Sequence, residues 1–333
     1  MNAPPRILVV GLGSIGRRHI AALAQASPNA EVLGLQRQRA GQPDRDIDGI
    51  PIVSGIDDPR LADIEAAIVA TPAPTHVDIA ATLAARGVHV LVEKPLSDRL
   101  EGIDDLITRC RDRGLVLQVG YCLRFATSLR ALKDAAAEGA VGRVLSLQAT
   151  VGQYLPDWRP DRDYRETVSV RAAEGGGALF ELSHEIDYAR WIGGEITSVC
   201  ARTSRVGDLT IDVEDSADLL VTFENGAVGN IHLDMLQRPA TRTCVIVGTE
   251  GTLHWDGIKR QTRLFRADVG TWQLLSTGED AAPDQMYVDQ LRHFLTCAKT
   301  GQEPSVTGAD GRSAVEIVLA ARRSSADGTI VRL

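Results

Sequence analysis

The sequence predicts a two-domain α/β protein. Residues 1–120 should form a doubly wound parallel sheet, and residues 121–333 an α+β domain with a large open, mainly antiparallel sheet. Short apolar runs alternate with helical patterns in the first part, as they do in βαβ units. After about residue 143, strand-like runs follow one another with few helices between them. Asn225-Gly226 lies between two such runs and is a strong signal for a β-hairpin.

In the first domain, short runs rich in Val, Leu and Ile indicate strands, and apolar residues at helical spacing indicate helices. The predicted strands are 6–10, 31–35, 65–70, 88–92 and 115–119. The predicted helices are 15–26, 75–85 and 98–113.

In the second domain, a helix at about 123–138 precedes an alternating strand at 143–153. A polar loop leads to Gly175-Gly176-Gly177 and a helix at about 179–191. Strand-like runs fill 196–275. The last predicted elements are helices at about 285–299 and 309–321 and a short strand at 329–333.

Composition excludes several classes of protein. The length of 333 residues suits two packed domains. A net charge of −8 argues against nucleic-acid binding, which needs a basic face. No apolar run approaches the roughly 20 residues of a membrane span, and the N-terminus enters the first strand without a signal-peptide core. The five cysteines are scattered without a Cys-x-x-Cys pair, which favours reduced thiols in the cytoplasm over a disulfide or zinc framework. We expect a cytoplasmic protein that binds no nucleic acid, membrane or metal.

A dinucleotide-binding loop follows the first strand, where the glycines have the spacing G-x-G-x-x-G. The first glycine permits a tight turn, the second lets a pyrophosphate approach the backbone, and the third lets helix and strand pack closely. The helix N-terminus then holds the phosphates. A plain strand–helix turn would not need three glycines at this spacing, so we predict a Rossmann domain. The expected cofactor contacts are Gly11, Gly13, Ser14, Ile15 and Gly16.

The end of the second strand bears on the choice of cofactor. An NAD site usually has an acid there for the ribose 2′-hydroxyl. This chain has Arg37 and Arg39 instead, and guanidinium groups suit a 2′-phosphate. The pattern mildly favours NADP over NAD. In the other interpretation, the two arginines belong to a solvated loop.

Three further segments complete a recognisable set of motifs. They are Ile68–His76 (IVATPAPTH), Val90–Leu96 (VLVEKPL) and Gly175–Asp187 (GGGALFELSHEID). With the glycine loop and a helix start at 310–314, they make the chain resemble the Gfo/Idh/MocA oxidoreductases, the group of glucose–fructose oxidoreductase and inositol dehydrogenase. The resemblance covers nearly the whole chain and has its motifs in the right order.

The resemblance implies a Rossmann domain and an antiparallel α/β domain with substrate between them. It implies hydride transfer between NAD(P) and a secondary alcohol or ketone of a sugar, cyclitol or nucleotide-sugar. Lys94 would contact the nicotinamide end of the cofactor and the reacting oxygen of the substrate. Glu93, the residue before it, would also lie at the cofactor site. His184 would donate or accept the proton, and Arg124 would contact substrate. The residues implied to line the nicotinamide ribose are Thr71, Pro72 and His76.

The residue types fit these roles. Oxidation of an alcohol needs a base for the hydroxyl proton, and histidine titrates near the working pH. A lysine ammonium can stabilise a developing oxyanion. On one helix, Glu181, His184 and Asp187 would be spaced i, i+3, i+6, so a carboxylate could orient the imidazole. The alternatives are a structural lysine at a strand end, a surface or core histidine, and plain helix-surface acids.

The chain departs from the family pattern at one place. Many members have an aspartate four residues before the histidine, where this chain has Phe180. The nearest acid is Glu181, three residues before His184, so the segment is one residue short. Any mechanism that needs a second catalytic acid at the usual place is in doubt.

A loop between the predicted strand and the glycine triplet mixes aromatic and charged side chains. Aromatic faces stack on sugar rings, and arginine grips carboxylate or phosphate groups. We expect a functional lid over the substrate rather than a merely solvated loop. The predicted substrate residues in it are Tyr154, Trp158, Arg162, Tyr164 and Arg165.

The sequence therefore predicts an NAD(P)-dependent dehydrogenase or reductase acting on CH–OH groups. The alternative is a catalytically silent dinucleotide sensor with a regulatory role, which would not need Lys94 and His184 together. An open sheet with apolar alternation needs covering, and the resemblance suggests a homodimer or homotetramer formed through the C-terminal sheet.

Overall fold

The protein is described by a computed structural model covering residues 4–36, 49–278, 282 and 284–333. Arg37 and Arg39, the predicted 2′-phosphate ligands, lie outside the described residues. The chain divides into two compact units.

The first unit comprises Met1–Cys122 and Asp284–Arg312. Its strands are β1 (Arg6–Val10), β2 (Glu31–Leu35), β3 (Ile52–Val53), β4 (Ala66–Val69), β5 (His89–Val92) and β6 (Leu117–Val119). Its helices are α1 (Ser14–Ala26), α2 (His76–Ala85), α3 (Ile103–Asp112) and α7 (Gln285–Thr300). The six strands are all parallel, in the order β3-β2-β1-β4-β5-β6.

The strands of this sheet are buried because helices cover the sheet. Ile7, Leu8 and Val9 of β1 have no exposed surface, as expected of a parallel sheet covered on both faces. Helices α1 and α7 pack against each other, and both contribute to the core cluster that includes Ile7 and Leu291. The strand order reverses between β1 and β4, and such a reversal opens a crevice at the carboxyl ends of the strands.

The second unit comprises Leu123–Pro283 and Ser313–Leu333. Its strands are β7 (Val144–Gly152), β8 (Ile196–Ser204), β9 (Ser216–Phe223), β10 (Val228–Asp234), β11 (Thr241–Gly248), β12 (Gly251–Asp256), β13 (Gln261–Arg266), β14 (Thr271–Thr277) and β15 (Val331–Arg332). Its helices are α4 (Thr127–Ala137), α5 (Ala178–Glu181) and α6 (His184–Gly193), together with most of α8 (Gly308–Asp327). The nine-stranded order is β14-β13-β12-β11-β7-β10-β9-β8-β15.

This sheet is mainly antiparallel, with β7 and β10 as a parallel pair. Burial alternates along β9, where Leu219 and Val221 are buried and Leu220 is exposed. Such alternation is typical of a sheet with one covered and one open face. The predicted fold class, a parallel Rossmann sheet and a large open, mainly antiparallel sheet, is confirmed.

The structure differs from the predicted division at residues 284–312. The predicted boundary near residue 120 falls close to Cys122, but Asp284–Arg312 returns to the first unit. Tyr287, Val288 and Leu291 of α7 enter the core cluster of the first unit, which explains the return. A sequence pattern shows that α7 has an apolar stripe but not which sheet the stripe covers.

Candidate functional site

The glycine loop joins β1 to α1, and two of its glycines are required by the protein itself. Gly11 has φ +91°, and a Cβ there would lie 2.6 Å from the carbonyl oxygen of Ala70. A Cβ on Gly16 would collide with the carbonyl oxygen of Gly11. These two glycines allow α1 to approach the ends of β1 and β4 closely.

Gly13 is different, because no contact with the described residues requires a glycine at this position. It is exposed, and a Cβ on it would meet no described protein atom within 4 Å. It is the N-cap of α1, and no side chain among the described residues caps the helix there. The first N–H groups of a helix have no partner within the helix, so the open space and these donors fit a dinucleotide pyrophosphate.

This difference gives a test of the loop. Gly13→Ala should leave the thermal midpoint of unfolding unchanged and weaken NAD(H) binding at least tenfold, because the added methyl group occupies only the space meant for the cofactor. Gly16→Ala should destabilise the cofactor-free protein by about 1–3 kcal/mol through overpacking. Calorimetry on the cofactor-free proteins and NADH titration by fluorescence measure the two effects. Unchanged NADH affinity in Gly13→Ala would show that the loop does not bind the cofactor as inferred.

Lys94 follows β5 in the same sheet, and Glu93 beside it is held by two donors. Glu93 has 6% exposure, and its own N–H donates to the Val69 carbonyl at the end of β4 at 2.9 Å. Its Oε2 accepts from the Lys94 N–H at 3.1 Å. Its Oε1 accepts from Nε2 of His19, a fully buried residue of α1, at 2.6 Å.

The environment keeps Glu93 ionised. Burial alone would raise the pKa of this carboxyl group, but the hydrogen bond and charge of His19, together with Lys94, outweigh burial and lower the pKa. A buried carboxylate is tolerated when it is hydrogen-bonded in this way. The turn that carries Lys94 is therefore fixed from inside the unit.

His76 is also buried, beneath the loop that follows β4. Its Nε2 lies 2.6 Å from the carbonyl oxygen of Thr71 and its Nδ1 lies 2.9 Å from that of Pro95. Burial lowers the pKa of His76, and a neutral imidazole can donate to only one of these two oxygens at a time. The ring links the β4 loop to the segment after Lys94.

The other residues implied to line the nicotinamide ribose lie nearer the surface. Thr71 is half-buried, and its hydroxyl oxygen lies 2.8 Å from that of Thr75. Pro72 is exposed. Contact of Thr71, Pro72 and His76 with a cofactor stays a prediction.

In the second unit, a carboxylate that is 12% exposed also holds the glycine turn before α5. Glu214 accepts from the Leu179 N–H at 3.2 Å through its side chain and from the Ala178 N–H at 3.0 Å through its carbonyl. Arg322 of α8 donates to the same carboxylate at 3.2 and 3.3 Å and to the Gly176 carbonyl at 3.3 Å. The sequence motifs did not indicate either Glu214 or Arg322, because neither lies near the glycine triplet in the chain.

Gly177 is required by this arrangement. It has φ +105°, and a Cβ there would lie 2.5 Å from Oε1 of Glu214. Gly177→Ala should therefore lower the free energy of unfolding by about 3 kcal/mol, through backbone strain and displacement of the carboxylate.

Gly226 supplies the matched control, because it has φ +84° and no described atom lies within 4 Å of the point where its Cβ would be. Gly226→Ala should cost only the backbone term, about 1 kcal/mol. Urea unfolding of both variants measures the difference, and equal losses would contradict a clamp by Glu214.

The segment that carries His184 is a broken helix, not the continuous one predicted at 179–191. Helix α5 ends at Glu181, and α6 begins at His184. Glu181 and His184 thus lie on different helices, so the predicted i, i+3 relation holds only between His184 and Asp187. Phe180, at the usual aspartate position, is fully buried, with the Arg322 guanidinium 4.6 Å from its ring centroid.

Asp187 and Arg124 form a buried ion pair with each other. The Arg124 Nε–H donates to Asp187 Oδ2 at 2.9 Å, and a terminal N–H donates to Oδ1 at 2.6 Å. Both side chains are almost completely buried. The Arg124 guanidinium also lies 5.5 Å from the ring centroid of Trp191. The pairing anchors α6, and the roles implied for the two residues, substrate contact and support of His184, stay predictions.

A second ion pair anchors α6 near its start. Arg242 of β11 donates to both carboxylate oxygens of Glu185, at 2.8 and 3.2 Å. The Glu185 side chain is fully buried. The first turn of α6, which begins with His184, is therefore held by two arginines.

The predicted substrate loop folds into short 3-10 turns that are held by bonds within the loop and by contacts with distant residues of the second unit. Trp158 donates from Nε1 to the Gln153 carbonyl at 3.1 Å. The Tyr164 hydroxyl accepts from the Thr210 N–H at 3.1 Å. Arg165 is paired with Asp163, and Arg162 is exposed. The Arg238 guanidinium lies 3.3 Å from the centroid of the Tyr154 ring. Trp158 and Tyr164 line one small pocket with Leu155, Arg159, Thr167 and Ser169.

No helix among the described residues is both long and apolar enough to cross a membrane. No group of three or more His, Cys, Asp or Glu side chains in the described ranges is arranged to hold a metal ion.

The fold and the glycine loop define a two-domain protein of the dinucleotide-binding class. Residues 5–121 match the oxidoreductase family described as having an NAD-binding Rossmann fold. Residues 129–254 match the GFO/IDH/MocA C-terminal domain. The chain therefore belongs to the Gfo/Idh/MocA oxidoreductase family, which confirms the resemblance seen in its motifs.

Similar proteins extend this assignment. The chain is 26% identical to scyllo-inositol 2-dehydrogenase (NAD(+)) of Bacillus subtilis (strain 168), over 100% of this chain and 97% of that protein. It is 27% identical to myo-inositol 2-dehydrogenase of Thermotoga maritima, over 98% of each. Among solved structures, levoglucosan dehydrogenase in complex with NADH and levoglucosan matches with a TM-score of 0.86 at 25% identity, over 99% of each chain.

Proposed function

We propose that this oxidoreductase interconverts a secondary hydroxyl group and a ketone on a sugar, cyclitol or nucleotide-sugar, with Lys94 and His184 as its catalytic residues. The observation that carries the proposal is the placement of Lys94. It follows β5 at the carboxyl edge of the sheet whose first strand ends in the glycine loop. Ligands of doubly wound folds bind at this edge. The named activities of the similar inositol and levoglucosan dehydrogenases support the substrate class.

The chemistry assigned to the chain is proton transfer and charge stabilisation. When bound, the nicotinamide accepts or supplies the hydride. His184 takes the hydroxyl proton during oxidation and returns it during reduction. Lys94 stabilises the negative charge that develops on the same oxygen. The proposal also includes two acids that support His184, Glu181 and Asp187. The proposed substrate contacts are Arg124, Tyr154, Trp158, Arg162, Tyr164 and Arg165.

The choice between NAD and NADP also belongs to the proposal. Arg37 and Arg39 favour NADP by residue type, whereas the names of similar proteins include NAD(+) and NADH. A cytoplasmic location is supported by all five cysteines being free thiols.

Activity assays test the catalytic roles. Purified protein is assayed with NAD(H) and NADP(H) against inositols, anhydrosugars, aldoses and nucleotide-sugars. Lys94→Ala and His184→Ala should each lower kcat by about 10²–10⁴-fold, the usual contribution of a positioned acid–base or charge-stabilising group. Lys299→Ala, at the exposed end of α7, is the matched lysine control and should keep full activity.

Two results would contradict the proposal. One is full turnover in both variants. The other is tight binding of the cofactor with no redox reaction on any substrate of the panel, which would favour the alternative of a silent dinucleotide sensor.

The open sheet face supports the proposed homodimer or homotetramer. Strand register places Trp272, Phe265, Val247 and Val228 in one row across the sheet, and cross-strand partners share a face. Leu220, on the same face, is 60% exposed and Val228 is 56% exposed. Apolar patches of this kind are usually covered by a partner.

Size-exclusion chromatography with light scattering tests the assembly. The unchanged protein should be a dimer or tetramer, and Leu220→Asp combined with Val228→Asp should make it monomeric, because a buried unpaired charge is costly. Ile258→Asp, on an exposed turn outside the strands, should not change the assembly. A monomeric unchanged protein would contradict the proposal.

A further inference from the structure

We propose that His19 is a positioning residue for Lys94, acting through the carboxylate of Glu93. This inference rests on the proposed function, in which Lys94 contacts the reacting oxygen. His19 lies in α1, the helix that begins at the dinucleotide loop, and the proton transfer and charge stabilisation assigned to His184 and Lys94 do not themselves require it.

The position of His19 is determined by its surroundings. The side chain is fully buried, and its ring meets the Tyr287 ring edge to face, with centroids 5.8 Å apart. Its Nδ1 is buried and has no hydrogen-bond partner among the described residues. The polar atoms of the ring are therefore used at one place, the 2.6 Å bond from Nε2 to Glu93. Burial of a polar imidazole ring costs free energy, because the ring loses its bonds to water and gains only one hydrogen bond in return. We therefore infer that this bond has a function.

The bond fixes a carboxylate that in turn fixes Lys94. One oxygen of Glu93 accepts from His19, and the other accepts from the main-chain N–H of Lys94 at 3.1 Å. A Cβ on Gly120, after β6, would lie 3.0 Å from the Cα, Cδ and Oε2 atoms of Glu93. The carboxylate is therefore packed closely on one side and bonded at both oxygens, which leaves it one orientation.

The consequence is a fixed relation between the cofactor helix and the catalytic lysine. Gly13 and Ser14 begin α1, and His19 lies less than two turns further along it. The chain of contacts from α1 to His19, Glu93 and Lys94 runs entirely within the first unit. Without the His19 donor, the buried Glu93 carboxylate must take a proton or reorient, and either change weakens or breaks its bond to the N–H of Lys94.

The test compares variants of His19 whose side chains differ in length and in whether they carry an N–H donor. His19→Gln keeps a side-chain N–H near the position of Nε2, whereas His19→Asn is polar but too short, and His19→Leu removes the donor. His89→Leu is the matched control, because His89 lies at the other end of β5, where its Nδ1 accepts from the Val116 N–H.

Two measurements are made on each protein. The first is kcat and the dissociation constant of NADH. The second is the rate at which the Lys94 amine is acetylated in the cofactor-free protein, followed by peptide mass spectrometry. We expect His19→Leu and His19→Asn to lower kcat at least tenfold, to change the acetylation rate of Lys94 at least threefold, and to change NADH affinity less than threefold. His19→Gln should restore both kcat and acetylation rate to near the unchanged values, and His89→Leu should alter neither, whatever its thermal midpoint.

Several outcomes would overturn the inference. It fails if His19→Leu and His89→Leu have equal effects on Lys94 acetylation, or if His19→Asn and His19→Gln behave alike. If His19→Leu does not fold, the Asn and Gln pair decides. If Lys94→Ala keeps full turnover while acetylation of Lys94 still responds to His19→Asn, then the catalytic role of Lys94 is wrong and its positioning by His19 stands.

Discussion

The first unit depends on the close approach of helix α1 to the carboxyl ends of β1 and β4. Gly16 allows the helix to lie against the Gly11 carbonyl, and the positive φ of Gly11 turns the chain beside Ala70. Each glycine loses more conformational entropy on folding than another residue would, about 0.5–1 kcal/mol relative to alanine. The approach directs the first N–H groups of the helix toward the crevice and brings the His19 side chain, one and a half turns further, onto Glu93. The same packing contact thus shapes the glycine loop, where the cofactor is proposed to bind, and places His19 against Glu93, beside the proposed catalytic residue Lys94.

In each unit, a hydrogen-bonded carboxylate fixes the backbone near a predicted catalytic residue. Each predicted catalytic residue follows a turn whose main-chain N–H is held by a buried or nearly buried carboxylate. Glu93 accepts from the Lys94 N–H and from His19, and Glu214 accepts from the Leu179 N–H and from Arg322. A carboxylate with two such donors is held in one orientation. In both units the carboxylate fixes the backbone near a residue that is proposed to be catalytic.

The sequence was informative where a pattern is local and failed where a partner is distant. Strands β1, β2, β4 and β5 and the glycine loop were predicted closely, because buried parallel strands are short apolar runs and the loop is a contiguous motif. The two-residue strand β3 was missed, since two residues carry no periodicity. The helix break after Glu181 was also missed, because apolar spacing continues across it. His19 could have been noticed, since it shares a helical stripe with the buried Gly16, Ala22 and Leu23. Arg322 could not, because 145 residues separate it from Gly177 and only folding joins them.

The shortened segment before His184 has a structural consequence for the acids around it. Helices α5 and α6 contain three acidic side chains, Glu181, Glu185 and Asp187. Glu185 is buried against Arg242, and Asp187 is buried against Arg124. Both carboxylates therefore use their two oxygens in bidentate bonds to an arginine. Glu181 is the acid of the three that is partly exposed, and it stands at the end of α5, where the break turns the chain toward His184. Because the acids of α6 are bound to arginines, their observed work is to hold the helix that begins with His184, and support of His184 by Glu181 or Asp187 stays a proposal.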